Sequence, residues 1–339
     1  MLTLDELRDE VESGAIDTVV VAFTDMQGRL LGKRLHAEFF LEENVAEHGV
    51  EGCNYLLALE MEMDPVPGYG IASWEQGYGD FGLRPDLATL RRVPWLEATA
   101  LVLCDVVWDD GTPVPPSPRQ VLKRQVERAG ELGYVPMFGS ELEFYLLKET
   151  YAEAHAKHYL DLTPSVPYIL DYHILASTYD EPLMRQIRNG MQVAGIRVET
   201  SKGEAWPGQQ EINFRYADAL SMADNHVVYK NGAKEIAHLN GCSITFMAKP
   251  DHGWIGNSCH VHLRVGRRAL PSHAAGGDRH ARERDDGQSR ARRRRRRPLP
   301  QLRTYRAAPV RRGRHLLRAR ADVRARIIAK MLRIFRDEQ

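Results

Sequence analysis

Gly139-Ser140-Glu141-Leu142-Glu143-Phe144-Tyr145-Leu146-Leu147 reads as a strand that carries chemistry on one side only. Period-two alternation places Glu141 and Glu143 on one face and Leu142 and Phe144 on the other. Two carboxylates about 7 Å apart on one strand face repel each other unless cations sit between them. The pattern recurs in Gly208-Gln-Gln-Glu-Ile-Asn-Phe-Arg215, where Glu211 lies on the face opposite Ile212 and Phe214. Glu204 precedes the Trp206-Pro207-Gly208 turn. In Asn257-Ser-Cys-His-Val-His-Leu263, His260 and His262 share a face, with Val261 and Leu263 opposite. A single such element is explained by the solvated side of a half-buried strand. Three of them, each beside Gly or Pro turns, favour a cation-binding face. Carboxylate oxygens with imidazole suit Mg²⁺ or Mn²⁺ better than structural zinc, which prefers sulfur and nitrogen.

Around these strands the punctuation is clear. Ser117 followed by Pro118 starts a helix with Val121, Leu122, Val126, Ala129 and Leu132 as its apolar stripe, and Gly133 stops it. Asp180 and Pro182 open a second helix with Leu183, Ile187, Met191 and Ala194 inward and Gly195 past its end. A third runs from about Asp218 to Leu239, closed by Gly241. Strands are expected near 197–200, 209–215, 242–247 and 257–263. Upstream, an amphipathic start at Thr3–Glu12 leads to the apolar run Thr18–Phe23, the turn Asp25–Gly28 and the segment Arg29–Leu35. Asp64–Asp80 is a long Gly/Pro/aromatic loop of the kind that serves function or contacts a partner. Strand Thr99–Asp105 and the linker Gly111–Pro116 follow. The expected class is α+β, an antiparallel sheet covered by helices.

The chain has 339 residues, 43% of them hydrophobic, enough for two domains with a substantial core. No run of about 18 apolar residues would span a bilayer, and Met1–Glu6 has neither a basic nor an apolar leader region. Cys53, Cys104, Cys242 and Cys259 are scattered, which argues for a reducing cytoplasm rather than a disulfide framework. The formal charge of zero hides a break. Residues 266–339 hold 24 Lys+Arg, of which 23 are Arg, against 7 Asp+Glu, and the preceding residues hold 22 against 39. The two segments need separate readings.

In order and spacing, Glu141-x-Glu143, Glu204-Ala-Trp-Pro-Gly-Gln-Gln-Glu211, Thr245-Phe-Met-Ala-Lys-Pro250 and His260-Val-His262 resemble the motifs of glutamine synthetases. Asp25–Arg29, Gly32–Arg34 and Asp105 through Arg119 resemble that family's β-grasp domain and the start of its catalytic domain. The resemblance implies a β-grasp domain over 15–108, an incomplete catalytic domain over 109–263, and an anomalous Arg-rich tail over 264–339 that is expected to be disordered. It implies two adjacent Mg²⁺ or Mn²⁺ sites, one held by Glu143, Glu204 and Glu211, the other by Glu141 and His260. His262 and Tyr216 take the positions that contact ATP, and Gly256 the position whose backbone touches glutamate. The implied reaction is phosphoryl transfer to the glutamate side chain followed by attack of ammonia or an amine. The implied assembly is a homo-oligomeric ring, with no membrane partner.

Three departures from the family pattern bear on function. Pro67 stands where ammonia-using members carry an aspartate, shortly before the tryptophan matched by Trp74. An organic amine or polyamine is therefore as good a candidate acceptor as ammonia. Ile255 stands where many members have asparagine. After Leu263 the family's serine is replaced by Arg264 and an Arg/Ala/Pro/Gly-rich stretch with six consecutive arginines, Arg292–Arg297. A shifted reading frame in a GC-rich gene yields such a composition, and little ligase activity is then expected of the chain. A basic nucleic-acid-binding tail and a non-catalytic pseudoenzyme are the alternatives. Val323–Phe335 could form a short amphipathic helix.

Overall fold

In the computed structural model, residues 1–71 and 77–267 are described. Trp74, the tail from residue 268 onward and the helix expected at Val323–Phe335 lie outside the described residues. The described residues all fall in one compact unit, Met1–Pro300, and the second unit, Gln301–Gln339, lies wholly outside them.

The first sheet is mixed. Its strands are β1 (Thr18–Thr24), β2 (Leu30–His36), β3 (Val50–Cys53), β4 (Asp80–Pro85), β5 (Arg91–Arg92) and β6 (Thr99–Val107). They lie in the order β2-β1-β6-β4-β3, with β5 also on β6, and only the β1–β6 pair is parallel. Helix α1 (Leu4–Glu12) starts at a capping box, in which the Thr3 hydroxyl accepts from the Glu6 N–H at 3.2 Å and the Thr3 N–H donates back to the Glu6 carboxylate at 2.7 Å. With α2 (Ala37–Glu42) and α3 (Val45–His48) it covers one sheet face, burying Leu7 and Phe40 against Val19, Val21 and Phe23.

The second sheet is antiparallel throughout. Helix α4 (Pro118–Glu131) leads into β7 (Tyr134–Leu147), which is the organising strand. One edge of β7 takes β9 (Gln209–Phe214) and β10 (Ala217–Asp218), with β8 (Val198–Gly203) beyond β9; the other edge takes β11 (Ser243–Thr245) and β12 (Cys259–Arg267). Helices α5 (Tyr151–Ala156) and α6 (Ile174–Ser177) lie in the connection to α7 (Glu181–Val193), and α8 (Ala219–Leu239) follows β10. Leu142, Phe144, Ile212 and Phe214 meet Ile187 and Met191 of α7 and Val228, Tyr229 and Ile236 of α8 in the larger core. Ala22, Leu101 and Leu103 reach the same core from the other face of the first sheet. The α+β class read from the alternation is the one observed.

Some expectations differ in detail. The α4 stripe is only half-buried, and its Leu132 is 68% exposed. What α4 buries are the polar Arg119 and Gln120 at its first turn, because the surface it meets there carries carboxylates rather than a purely apolar core. Strand β12 runs to Arg267 rather than stopping at Leu263, because the first half of β7 offers a free edge as far as Tyr134. Val261 and Leu263 do face away from the histidines, yet they are 59% and 49% exposed, since none of the described elements covers that end of the sheet.

The loop around α5 hangs on one carboxylate. Glu149 is buried and accepts from Lys157 Nζ at 2.6 Å, Thr163 N–H at 2.9 Å and Thr163 Oγ1 at 2.8 Å. Burial opposes its ionisation, but the Lys157 and Thr163 hydrogen bonds outweigh it and hold the pKa down to about 2. A folded-state pKa below the unfolded one stabilises the fold above the unfolded value, and that stabilisation is lost as pH falls through the folded value. Glu149→Gln is therefore expected to lower stability by about 1–2 kcal/mol at pH 6. In paired urea titrations the gap to the unmodified protein should narrow steadily between about pH 4.5 and 2; a gap as wide at pH 2 as at pH 6 would contradict this.

Candidate metal centre

Strand pairing assembles the site. On one edge of β7, Glu143 stands opposite Glu211 and Glu141 opposite Asn213 of β9. On the other edge, His260 stands opposite Glu141 and His262 opposite Gly139. Lys202 of β8 is opposite Glu211. Glu204 follows β8 directly, and its N–H donates to the Gln209 carbonyl at 2.8 Å, tying the end of β8 to the start of β9. The turn between them needs Gly208. Its φ is +68°, and a Cβ there would come within 2.7 Å of the Leu146 carbonyl oxygen.

Two groups of potential ligands result. Atoms of Glu143, Glu204 and Glu211 lie within 4.8 Å of one another, and so do atoms of Glu141, Glu211 and His260. The family resemblance implies Glu211 for the first group only; the geometry gives it to both. The five residues share a sheet face, whereas the cavity of about 290 Å³ between β1, β2 and α8 contains none of them.

The electrostatics of this face are unfavourable without a counter-charge. Glu211 is 3% exposed and Glu143 6%. Burial, then the Glu204 carboxylate, push the Glu211 pKa up to about 7, with Lys202 opposing and Glu141 and Glu143 adding to the rise. Burial also raises Glu204, although Lys202 forms an ion pair with it. Among the described residues, one lysine thus faces four carboxylates. Buried like charges at this spacing are tolerated when protonated or when a cation lies between them. An oxygen-rich donor set with one imidazole, offset among the described residues only in part by Lys202, fits a hard divalent ion.

His262 Nε2 lies 3.0 Å from Glu141 Oε1, and His260 Nδ1 lies 3.7 Å from Glu141 Oε2. Tyr216 and His262 straddle Gly139: a Cβ on that glycine would be 3.7 and 3.8 Å from theirs. Gly256 sits in the loop before β12, where a Cβ would come within 2.9 Å of the Ala248 carbonyl oxygen. Three residues escaped the sequence reading. Lys202 did so because β8 extends past Thr200 to Gly203. Gln209 shares the parity of Glu211 and donates to Glu143 at 3.1 Å. Ser258 precedes β12 and donates to Glu143 through its N–H at 2.9 Å and its hydroxyl at 2.5 Å.

Comparison with known proteins identifies the scaffold. Residues 115–277 match the family described as glutamine synthetase, catalytic domain, and the match runs past Leu263, where the resemblance was expected to end. The gamma-glutamylethanolamide synthetase GlnA4 of Streptomyces coelicolor is 54% identical over 273 residues, covering 79% of this chain and 59% of its own length. A glutamate–isopropylamine ligase of a Pseudomonas species is 40% identical over 260 residues, covering 77% and 56%. A solved structure described as apo GmaS without ligand superposes with a TM-score of 0.65 at 27% identity, covering 82% of this chain and 58% of that one. The chain thus spans under two-thirds of the length of these relatives. With its motifs in family order and its carboxylates gathered on one sheet of the matched domain, the chain belongs to the glutamine synthetase family.

Proposed function

We propose that this protein is built as an ATP-dependent γ-glutamyl ligase, which joins the side-chain carboxylate of glutamate to an amine through a γ-glutamyl phosphate. The observation that carries the proposal is the pair of three-residue groups that share the buried Glu211. Divalent cations held there would neutralise charge on the transferring phosphoryl group and on the carboxylate that must approach it. Glu143, Glu204 and Glu211 would hold one Mg²⁺ or Mn²⁺, and Glu141 and His260 the other. Lys202 pairs with Glu204 and keeps it oriented. The backbone of Gly256 would receive glutamate, and His262 and Tyr216 would flank the nucleotide. In this reading residues 15–108 are a β-grasp domain, 109–263 the first part of the catalytic domain, and the working form is a cytoplasmic homo-oligomeric ring. Among the described residues no helix is long and apolar enough to cross a membrane.

The acceptor in this reading is an organic amine. Pro67 is exposed and offers no charge to an ammonium ion, and two relatives act, by their names, on ethanolamine and isopropylamine. After Leu263 the composition turns Arg-rich, with six consecutive arginines at Arg292–Arg297, so in this reading the chain as written should bind cations without appreciable turnover. The test uses two proteins: the 339-residue chain, and a chimera that continues after Leu263 with the matching segment of the S. coelicolor relative. Phosphate release and amide formation are measured with glutamate, ATP and Mg²⁺ plus ammonia, ethanolamine or isopropylamine. The chimera should turn over and prefer an organic amine by tenfold or more (about 1.4 kcal/mol). A preference for ammonia would refute the acceptor assignment, and robust turnover by the 339-residue chain would refute the reading of its tail.

A further inference from the structure

Gln209 is 1% exposed, and its carboxamide nitrogen lies within hydrogen-bond distance of three acceptors: Glu143 Oε2 at 3.1 Å, the Gly256 carbonyl at 3.2 Å and Asn257 Oδ1 at 3.0 Å. A carboxylate and a carbonyl both only accept, which fixes the nitrogen end of the amide toward them. Asn257 continues the chain of donors, giving its own Nδ2–H to the Met247 carbonyl at 2.9 Å. The Gln209 Oε1 is buried without a partner, so this side chain is held by its donors alone. An NH₂ group has two hydrogens, and here three acceptors share them. From the other side, Ser258 gives Glu143 its N–H and its hydroxyl and receives the Glu143 N–H on its carbonyl at 3.0 Å.

We propose that Gln209 and Ser258 are positioning residues that couple cation occupancy at Glu143 to the order of the loop 248–257. This rests on the metal reading given above. A cation bound to Glu143 withdraws the negative charge that competes for the amide hydrogens of Gln209. Those hydrogens then turn to Gly256 and Asn257, and the loop that carries the glutamate-facing glycine tightens. Ser258 acts on the carboxylate itself, orienting both of its oxygens. Partners that hold a metal-binding side chain in this way are commonly worth 10–100-fold in metal affinity.

The test titrates the full chain with Mn²⁺ alone and follows amide hydrogen exchange of 248–257, with melting temperature as the control for global fold. In the unmodified protein, saturating Mn²⁺ should slow exchange of this loop severalfold. Ser258→Ala should weaken Mn²⁺ binding about tenfold with little change in melting temperature, and should keep the loop response at saturation. Gln209→Met should bind Mn²⁺ but lose the loop response. An unmodified protein whose loop ignores bound Mn²⁺, a Ser258→Ala variant of full affinity, or a Gln209→Met variant with an intact loop response would each overturn the coupling. The first two of these remain decisive should Gln209→Met fail to fold. Absence of Mn²⁺ binding in the unmodified protein would sink the metal reading itself, and the coupling with it.

Discussion

Arg119→Met is expected to destabilise the fold by about 3–5 kcal/mol, the cost of stranding buried charge when one partner of a buried ion pair is removed. Arg119 is 6% exposed and meets three carboxylates: Asp105 at 2.5 Å, Asp86 at 2.7 Å, and Asp224 in a two-pronged contact at 2.9 and 3.0 Å. Burial opposes charge on the guanidinium, but Asp224, Asp86 and Asp105 more than offset it and hold it protonated. The contacts span the molecule: Asp86 and Asp105 come from the first sheet's side, Arg119 from α4 and Asp224 from α8. Lys123 also pairs with Asp105, so Arg119→Lys should recover only part of the loss, a lysine being unable to reproduce the fork that Asp224 accepts. Urea denaturation at pH 7 checks the prediction. A loss of under 1 kcal/mol for Arg119→Met would show that solvent, not this joint, carries the charges.

The second large effect concerns Glu211. Because it stands in both ligand groups, Glu211→Gln should weaken Mn²⁺ binding at both positions, on the order of 100-fold or more. The same change removes one of several buried like charges. The metal-free variant should therefore melt at a temperature equal to or higher than the unmodified protein, because no cation then balances the carboxylates. His260→Ala, by contrast, should weaken only the position shared with Glu141. The discriminating readout is the pair of measurements together: lost affinity with unchanged or raised apo stability. Lost affinity with a collapsed fold would assign Glu211 a structural role instead.

Much of this was legible before any coordinates. Strand parity has a fixed period of two, so Glu141, Glu143 and Glu211 could be placed on a face opposite Leu142, Phe144 and Ile212 from the residues alone. The inward stripe of α7 was equally plain, since Leu183, Ile187 and Met191 are spaced for one helix face and are all buried. Other features depend on pairing, which sequence does not display. Parity could separate Val261 and Leu263 from the histidines but not say whether another element covers them. The sharing of Glu211 follows from β9 lying directly beside β7, and the approach of Lys202 from β8 continuing three residues further than its apolar start suggests. The short elements α2, α3, β3, β4 and β10 escaped because two to six residues carry too little periodicity to read. Gln209 had a signal in its parity with Glu211, but a carboxamide among carboxylates draws no notice until its donors are seen to bridge Glu143 and Gly256.

Whether the carboxylate face is a divalent-cation site is tested most directly by the stoichiometry of Mn²⁺ binding to the full chain at pH 7.5, followed by electron paramagnetic resonance of the free ion. Saturable binding of about two ions per chain is expected, as the two ligand groups imply, with both lost in Glu211→Gln. No saturable binding, or full binding by Glu211→Gln, would contradict it.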